Sequence, residues 1–213
     1  MGNIFDISVT LKPDMVTYPG DAPFEKQVYS SLDEGKNANL SRFSLGSHTG
    51  THIDYPLHFL KDGQNSSDLE LENVVGDALV LDATDAAKAV DAEILKNAWP
   101  SHDVDRVLLR TANSTNALFE KERFDTDFIY LGISGAQFLA EKKVKTVGVD
   151  YLSVEKYKSY DHAVHKFLLS QSITVIEGLD LFKVSAGQYF LACLPLKIAN
   201  SDGTPARAIL IKK

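Results

Sequence analysis

The chain has 213 residues, 44% of them hydrophobic and 24% charged, with a formal net charge of -7. That is ordinary globular composition, long enough to bury a substantial core. The acidic balance argues against a nucleic-acid binder or a binder of anionic membranes and leaves a small-molecule site open. The lone cysteine, Cys193, excludes an intramolecular disulfide, and its apolar neighbours from Phe190 to Leu194 predict a packed, inert thiol. The start of the chain has no basic segment followed by an apolar run. Gly2 lacks the Ser or Thr that myristoylation needs at position six, where Asp6 stands. No apolar stretch approaches the roughly 18 residues that span a bilayer. A cytoplasmic protein is expected.

In chain order, Ile4 to Leu11 alternates apolar and polar and predicts a strand. Lys12 to Pro23 is turn-rich, with Tyr18-Pro19-Gly20-Asp21 inside it. Phe24 to Ser30 and Leu40 to Leu45 read as strands around the solvated loop Asp33 to Asn37, and the second leads into a histidine-rich stretch. Leu69 to Val75 predicts a short helix, Ala78 to Leu81 a buried strand, and Ala92 to Trp99 a helix stopped by Pro100. Arg106 to Arg110 reads as a strand followed by a polar loop from Thr111 to Thr115, and Phe128 to Leu131 as a short extended segment. Ser134 is the expected N-cap of a helix running to Lys143. Lys145 to Val149 and Ile173 to Ile176 read as strands flanking a helix from Ala163 to Gln171, with strands Gln188 to Leu194 and Ala208 to Ile211 at the end. With no linker, repeat or low-complexity tract, residues 1–213 read as one mixed α/β (α+β) domain around a mixed sheet that curls towards a barrel.

The stretch His48-Thr49-Gly50-Thr51-His52-Ile53-Asp54-Tyr55-Pro56-Leu57-His58 holds three of the six histidines. Imidazole and carboxylate are ligands for zinc, manganese and related ions. His48, His52, Asp54 and His58 share one parity of an extended chain, while Thr49, Thr51, Ile53, Tyr55 and Leu57 share the other. A straight strand would hold His48 and His52 about 13 Å apart at ~3.3 Å per residue, too far for one ion, so the chain must bend, and Gly50 is the expected place. The plain alternative is a surface turn with incidental histidines. Three histidines and an aspartate on one parity beside a glycine favour metal or acid–base work. Elsewhere, His102 sits in a polar turn and is expected to be exposed. His162 and His165 lie three apart on a predicted helix and could share a face, and Glu177 follows a predicted strand.

His-x-x-x-His-x-Asp-x-x-x-His resembles the signature of the metal-dependent cyclase superfamily, which includes bacterial kynurenine formamidase and isatin hydrolase. Further landmarks occur in the same order: Asp6-Ile7-Ser8, Tyr18-Pro19-Gly20-Asp21, Gly148-Val149-Asp150 with Ser153, His165 with Glu177-Gly178-Leu179, and Pro195-Leu196-Lys197 with Pro205-Ala206-Arg207. The resemblance implies the swivelling β/β/α fold, two divalent ions (zinc, or manganese) and a homodimer or larger homo-oligomer. It also implies particular roles. His48, His52 and Asp54 match the ligands of the first ion. Asp54 would bridge to a second, completed by His165 and Glu177, and His165 fits the family spacing to Glu177 better than His162 does. His58 matches the acid–base residue. Tyr18 stands where the formamidases carry a substrate-touching tryptophan, and Thr51 where they commonly carry alanine.

Ligands without thiolate are those of open, catalytic sites. Such an ion acidifies water to a pKa of about 7 and polarises a carbonyl, and an unliganded histidine can shuttle the proton. The expected activity is hydrolysis of a small amide, foremost an aryl formamide such as N-formylkynurenine. A cyclic amide or lactone hydrolase, or a cyclase, is the enzymatic alternative, and a metal-stabilised binding module the non-enzymatic one.

Overall fold

A computed structural model describes residues 3–212; Met1 and Gly2, weighed above for leader and lipidation signals, lie outside the described residues. Twelve strands are described: β1 (Ile4–Asp6), β2 (Glu25–Ser30), β3 (Leu40–Ser44), β4 (His52–Asp54), β5 (Val75–Ala83), β6 (Ala89–Val90), β7 (Arg106–Thr111), β8 (Tyr130–Leu131), β9 (Thr146–Val149), β10 (Thr174–Glu177), β11 (Gly187–Pro195) and β12 (Gly203–Lys212). The helices are α1 (Leu71–Val74), α2 (Ala92–Ala98), α3 (Ala112–Thr115), α4 (Ile133–Glu141) and α5 (Ala163–Ser170).

The main sheet runs β1-β12-β11-β5-β7-β9-β10-β4 and closes because β12 also pairs with β4. One side of β12 is shared between two partners: Gly203, Thr204 and Pro205 face β4, and Ile209 to Ile211 face β1. The result is a seven-strand closed barrel of mixed direction with β1 as a flap. Strands β5, β7, β9 and β10 are parallel to their neighbours within that group, and β4, β12 and β11 are antiparallel to theirs. Parallel neighbours need crossovers, and α2, α4 and α5 supply them on the outer face. The expected curled mixed sheet is therefore present, closed into a barrel.

The period of two divides each parallel strand between two cores. Leu108 and Ile176 point into the barrel with Ile53, Leu179, Leu191, Cys193 and Leu210. Val107, Leu109, Val147, Val149 and Val175 point outward against Leu95, Leu139 and Leu168 of the covering helices. This alternation sets the site: Ile53 faces inward, so His52 and Asp54 face outward. Ile176 faces inward, so Glu177 is on the outer side with Val175, beneath α5.

Four sequence expectations shift. The first strand ends at Asp6, with only a bridge from Ser8 to Leu179 beyond it. The polar loop expected over Thr111 to Thr115 is the helical turn α3, capped by the Thr111 hydroxyl, which accepts from Asn113 N–H. Buried Asp150 enforces that turn by accepting from Thr111 N–H at 2.7 Å, Thr111 Oγ1 at 2.8 Å and Ser114 Oγ at 2.6 Å. Burial pushes its carboxyl up in pKa even so. Helix α4 starts two residues early, with Gly132 at the cap, and the Ser134 hydroxyl instead accepts from Ala92 N–H at 3.3 Å. Glu177 is the last residue of β10, not the residue after it. Asp150→Ala strands several buried donors together, and we expect it to lower unfolding free energy by about 3 kcal/mol, read from a shifted denaturant midpoint.

Candidate metal centre

The histidine stretch bends where expected. Gly50 has φ of +68°, and only residues 52–54 continue as a strand. The bend is tight because a side chain on Gly178, itself at φ +72°, would collide with the Gly50 carbonyl. Strand β4 lies between β10 and β12, pairing His52 with Glu177 on one side and with Pro205 on the other. Residues directly opposite in a ladder share a face, so the pairing brings Glu177 beside His52. Helix α5 then lowers His165 onto the same spot.

His52, Asp54, His165 and Glu177 are all at most 4% exposed. His52 Nδ1–H donates to the Gly50 carbonyl at 2.9 Å, which turns the Nε2 lone pair to Asp54 Oδ1 at 3.2 Å and Glu177 Oε2 at 3.4 Å. His165 Nε2 lies 3.0 Å from Glu177 Oε1 and 3.5 Å from Asp54 Oδ2. His48 Nδ1 lies 2.8 Å from Asp54 Oδ1. Neither His52 Nε2 nor Asp54 Oδ2 has a hydrogen-bond partner. A buried lone pair aimed at two carboxylates is repulsive unless a cation stands between them. The donor set therefore fits a divalent ion: His52, Asp54 and Glu177 form one ligand-sized cluster, and His48, Asp54 and His58 another.

In the metal-free chain protons answer the same field. Burial pulls the His52 and His165 imidazoles down, but the carboxylates beside them, Asp54 and Glu177 for the first and Glu155 and Glu177 for the second, outweigh it and lift both to about 10. A raised imidazole pKa stabilises the metal-free fold below its unfolded value of about 6.5, and that contribution is lost as pH rises towards 10. Metal ligation has the opposite dependence, because it needs both rings neutral. We expect metal binding at pH 7 to expel protons, seen as a calorimetric enthalpy that varies with the buffer's ionisation enthalpy, and affinity to rise from pH 6 to 8.

His58 sits on a 3-10 turn beyond β4, partly exposed, its ring stacked on His48 with centroids 3.9 Å apart. Burial lowers its pKa and so favours the neutral ring. A cavity of about 250 Å³ opens over the cluster, walled by Tyr18, His58, Phe59, Leu152, Lys156 and His162 among others. Tyr18 meets Phe124 and Tyr157 edge-on at 5.2 and 5.9 Å. Thr51 does not face it; its hydroxyl donates to the Gly178 carbonyl and accepts from Val9 N–H. His102 is exposed and remote, against Gln188 at 2.9 Å.

Two carboxylates escaped the sequence reading. Buried Glu155 has Oε1 2.8 Å from His162 Nδ1 and 2.9 Å from His165 Nδ1, the latter off the line of a hydrogen bond. Its Oε2 accepts from Val164 N–H at 3.1 Å, supplying the cap that His162, in the left-handed region, does not. The signal available was a single carboxylate closing the mostly apolar segment Tyr151 to Val154. Asp202 bonds His48 from the turn before β12, and no local pattern marks it.

A closed mixed barrel whose outer face gathers histidine and carboxylate ligands under a cavity defines a metal-dependent hydrolase. Residues 5–156 match the cyclase family, described as "Putative cyclase". The chain is 35% identical to the kynurenine formamidase of Erythrobacter litoralis over 97% of its own length and 93% of that protein's. It is also 35% identical to cyclase-like protein 3 of Arabidopsis thaliana over 98% and 79% of the two chains. A predicted metal-dependent hydrolase from Bacillus stearothermophilus superposes with a TM-score of 0.84 at 29% identity, covering 99% of this chain and 98% of that one. Isatin hydrolase A from Ralstonia solanacearum shares the fold, with a TM-score of 0.84 at 24% identity over 99% and 92% of the chains. The chain belongs to the cyclase family.

Proposed function

We propose that this chain is an arylformamidase, hydrolysing an N-formyl aryl amine such as N-formylkynurenine to the free amine and formate. The observation that carries the reading is His58 in the cavity wall beside a buried cluster in which His52 Nε2 and Asp54 Oδ2 have no hydrogen-bond partner. The likeness to formamidases over nearly the whole chain supports the substrate.

His48, His52 and Asp54 would hold one divalent ion. Asp54, His165 and Glu177 would hold a second, with zinc favoured by the imidazoles and manganese allowed by the carboxylates. Such ions supply acidified water and polarise the formyl carbonyl. His58 accepts the proton as water adds and returns it to the departing aryl amine. Tyr18 packs against the aryl ring. Lys156, which has no ion-pair partner among the described residues, faces the same cavity and suits a substrate carboxylate. Thr51, where the formamidases commonly have alanine, spends its hydroxyl on hydrogen bonds to Gly178 and Val9 and leaves the substrate side unchanged.

The shared fold of the isatin hydrolases keeps cyclic amides as the second reading. A panel of N-formylkynurenine, isatin and simple lactones, assayed with zinc and with manganese, separates the two. Formate release from the first supports the proposal, and turnover of a cyclic substrate alone overturns it.

The proposal includes a homo-oligomer in the cytoplasm. The two-stranded β2–β3 ribbon leaves Val28, Tyr29, Leu32, Leu40 and Phe43 about half or more exposed. Exposed apolar area of that kind marks an interface, and a second copy is the occupant we assign. Sedimentation equilibrium reads the state directly. The location draws its support from a single thiol, Cys193, which is buried. No helix among the described residues is long and apolar enough to cross a membrane.

A further inference from the structure

We propose that Asp202 is a positioning residue shared by the two imidazoles at the mouth of the site, orienting His48 for metal ligation and His58 for proton transfer. The inference rests on the ligand and acid–base roles proposed above.

Asp202 Oδ2 lies 2.9 Å from His48 Nε2, while the opposite nitrogen, Nδ1, lies 2.8 Å from Asp54 Oδ1. A ring with Nε2–H donated to Asp202 must present the Nδ1 lone pair towards Asp54. That is the tautomer a ligand needs, and carboxylate–histidine pairs of this kind fix it and make the ring a better donor. The same Oδ2 lies 3.8 Å from His58 Nδ1, and the His58 ring stacks on His48. At that distance the carboxylate acts on the His58 ring as a nearby charge, and an approach of the two would make it a hydrogen bond. One oxygen thus faces the outer nitrogens of both rings, and Ser47 Oγ donates to it as well at 3.3 Å.

The fold fixes the carboxylate where it is used. The Asp202 carbonyl accepts from Tyr55 N–H at 3.0 Å, and the next residue, Gly203, pairs with Asp54 across the β12–β4 ladder. Gly203 also makes room for the ring, since a Cβ there would collide with the His48 imidazole. Asp202 is therefore held to the ligand-bearing strand by the pairing that closes the barrel.

The test compares Asp202→Ala and Asp202→Asn with the unaltered protein, using zinc alone and a chelator competition, with thermal melting as the check on folding. We expect Asp202→Ala to bind zinc ~10- to 100-fold more weakly. Asp202→Asn keeps an oxygen that can accept from His48 and should recover most of that loss. With zinc saturating, the alanine variant should lose kcat on an aryl formamide while KM stays nearly constant, the mark of a misaligned proton carrier. Unchanged zinc affinity in Asp202→Ala overturns the proposal, and so does an asparagine variant as weak as the alanine one. Zinc affinity is read without substrate. Failure of the formamidase reading would appear as absent turnover in the unaltered protein and leave the zinc result standing.

Discussion

Replacing His58 by alanine should leave metal content and melting temperature intact while turnover of an aryl formamide falls by ~10²-fold or more. The expectation follows from its surroundings. His58 follows the ligand strand on a 3-10 turn begun by Pro56, so its loss removes no ladder hydrogen bond. Its ring lies flat on His48, where burial favours the neutral form that can accept a proton. It is half-buried and lies 3.8 Å from Asp202, so no fully buried carboxylate is left uncompensated when it goes. Full retained turnover would remove His58 from the chemistry and return it to simple packing. Loss of metal together with turnover would make it a ligand instead.

Replacing His52 by alanine should have the opposite signature, with bound metal falling below a tenth of normal by elemental analysis and hydrolysis lost with it. Its Nε2 stands between Asp54 Oδ1 and Glu177 Oε2, with His165 reaching the other oxygen of each carboxylate. Its Nδ1–H is committed to the Gly50 carbonyl, so the ring cannot be replaced in function by a neighbour that swings in. Catalytic rate then loses what the ions supply, on the order of several kcal/mol of transition-state stabilisation. A variant that retained full metal would show that His48, Asp54, His165 and Glu177 suffice, and would take His52 out of the ligand set.

The elements that were legible in the sequence are those whose pattern is local. Short apolar runs marked β7, β9 and β11, and the Ala92 and Ala163 helices carry their own apolar faces. The proposed ligand stretch stood out because four of its groups share one segment and one parity with a glycine at the bend, and the structure sets two of them, His52 and Asp54, beside Glu177. What was hidden depends on distant partners. Helix α3 exists because Asp150, almost forty residues on, supplies acceptors that a polar segment alone does not predict. Closure of the barrel depends on β12 dividing one edge between β1 and β4, which no periodicity announces. Asp202 reaches His48 from 154 residues away, in a stretch that reads as a solvated turn.

The family landmarks also sort by physical role once their partners are known. Asp6 and Arg207, at opposite ends of the chain, form an exposed pair with Nε to Oδ1 at 2.9 Å, away from the cavity. Asp150 is a buried hub for the β7–α3 corner. Resemblance weights such residues equally with the proposed ligands, whereas exposure sets Asp6 apart and satisfied hydrogen bonds set Asp150 apart.

Strand β4 has a further consequence. It is three residues long, yet it is the piece that seals the cylinder, and two of its three side chains are the proposed ligands. A cation gripped there and by Glu177 would act as a rivet across the seam, fastening β4 to its neighbour and to the helix above. Resistance to heat and to proteases would then follow the supply of metal, and starvation for the ion would cost the cell the protein itself as well as its activity.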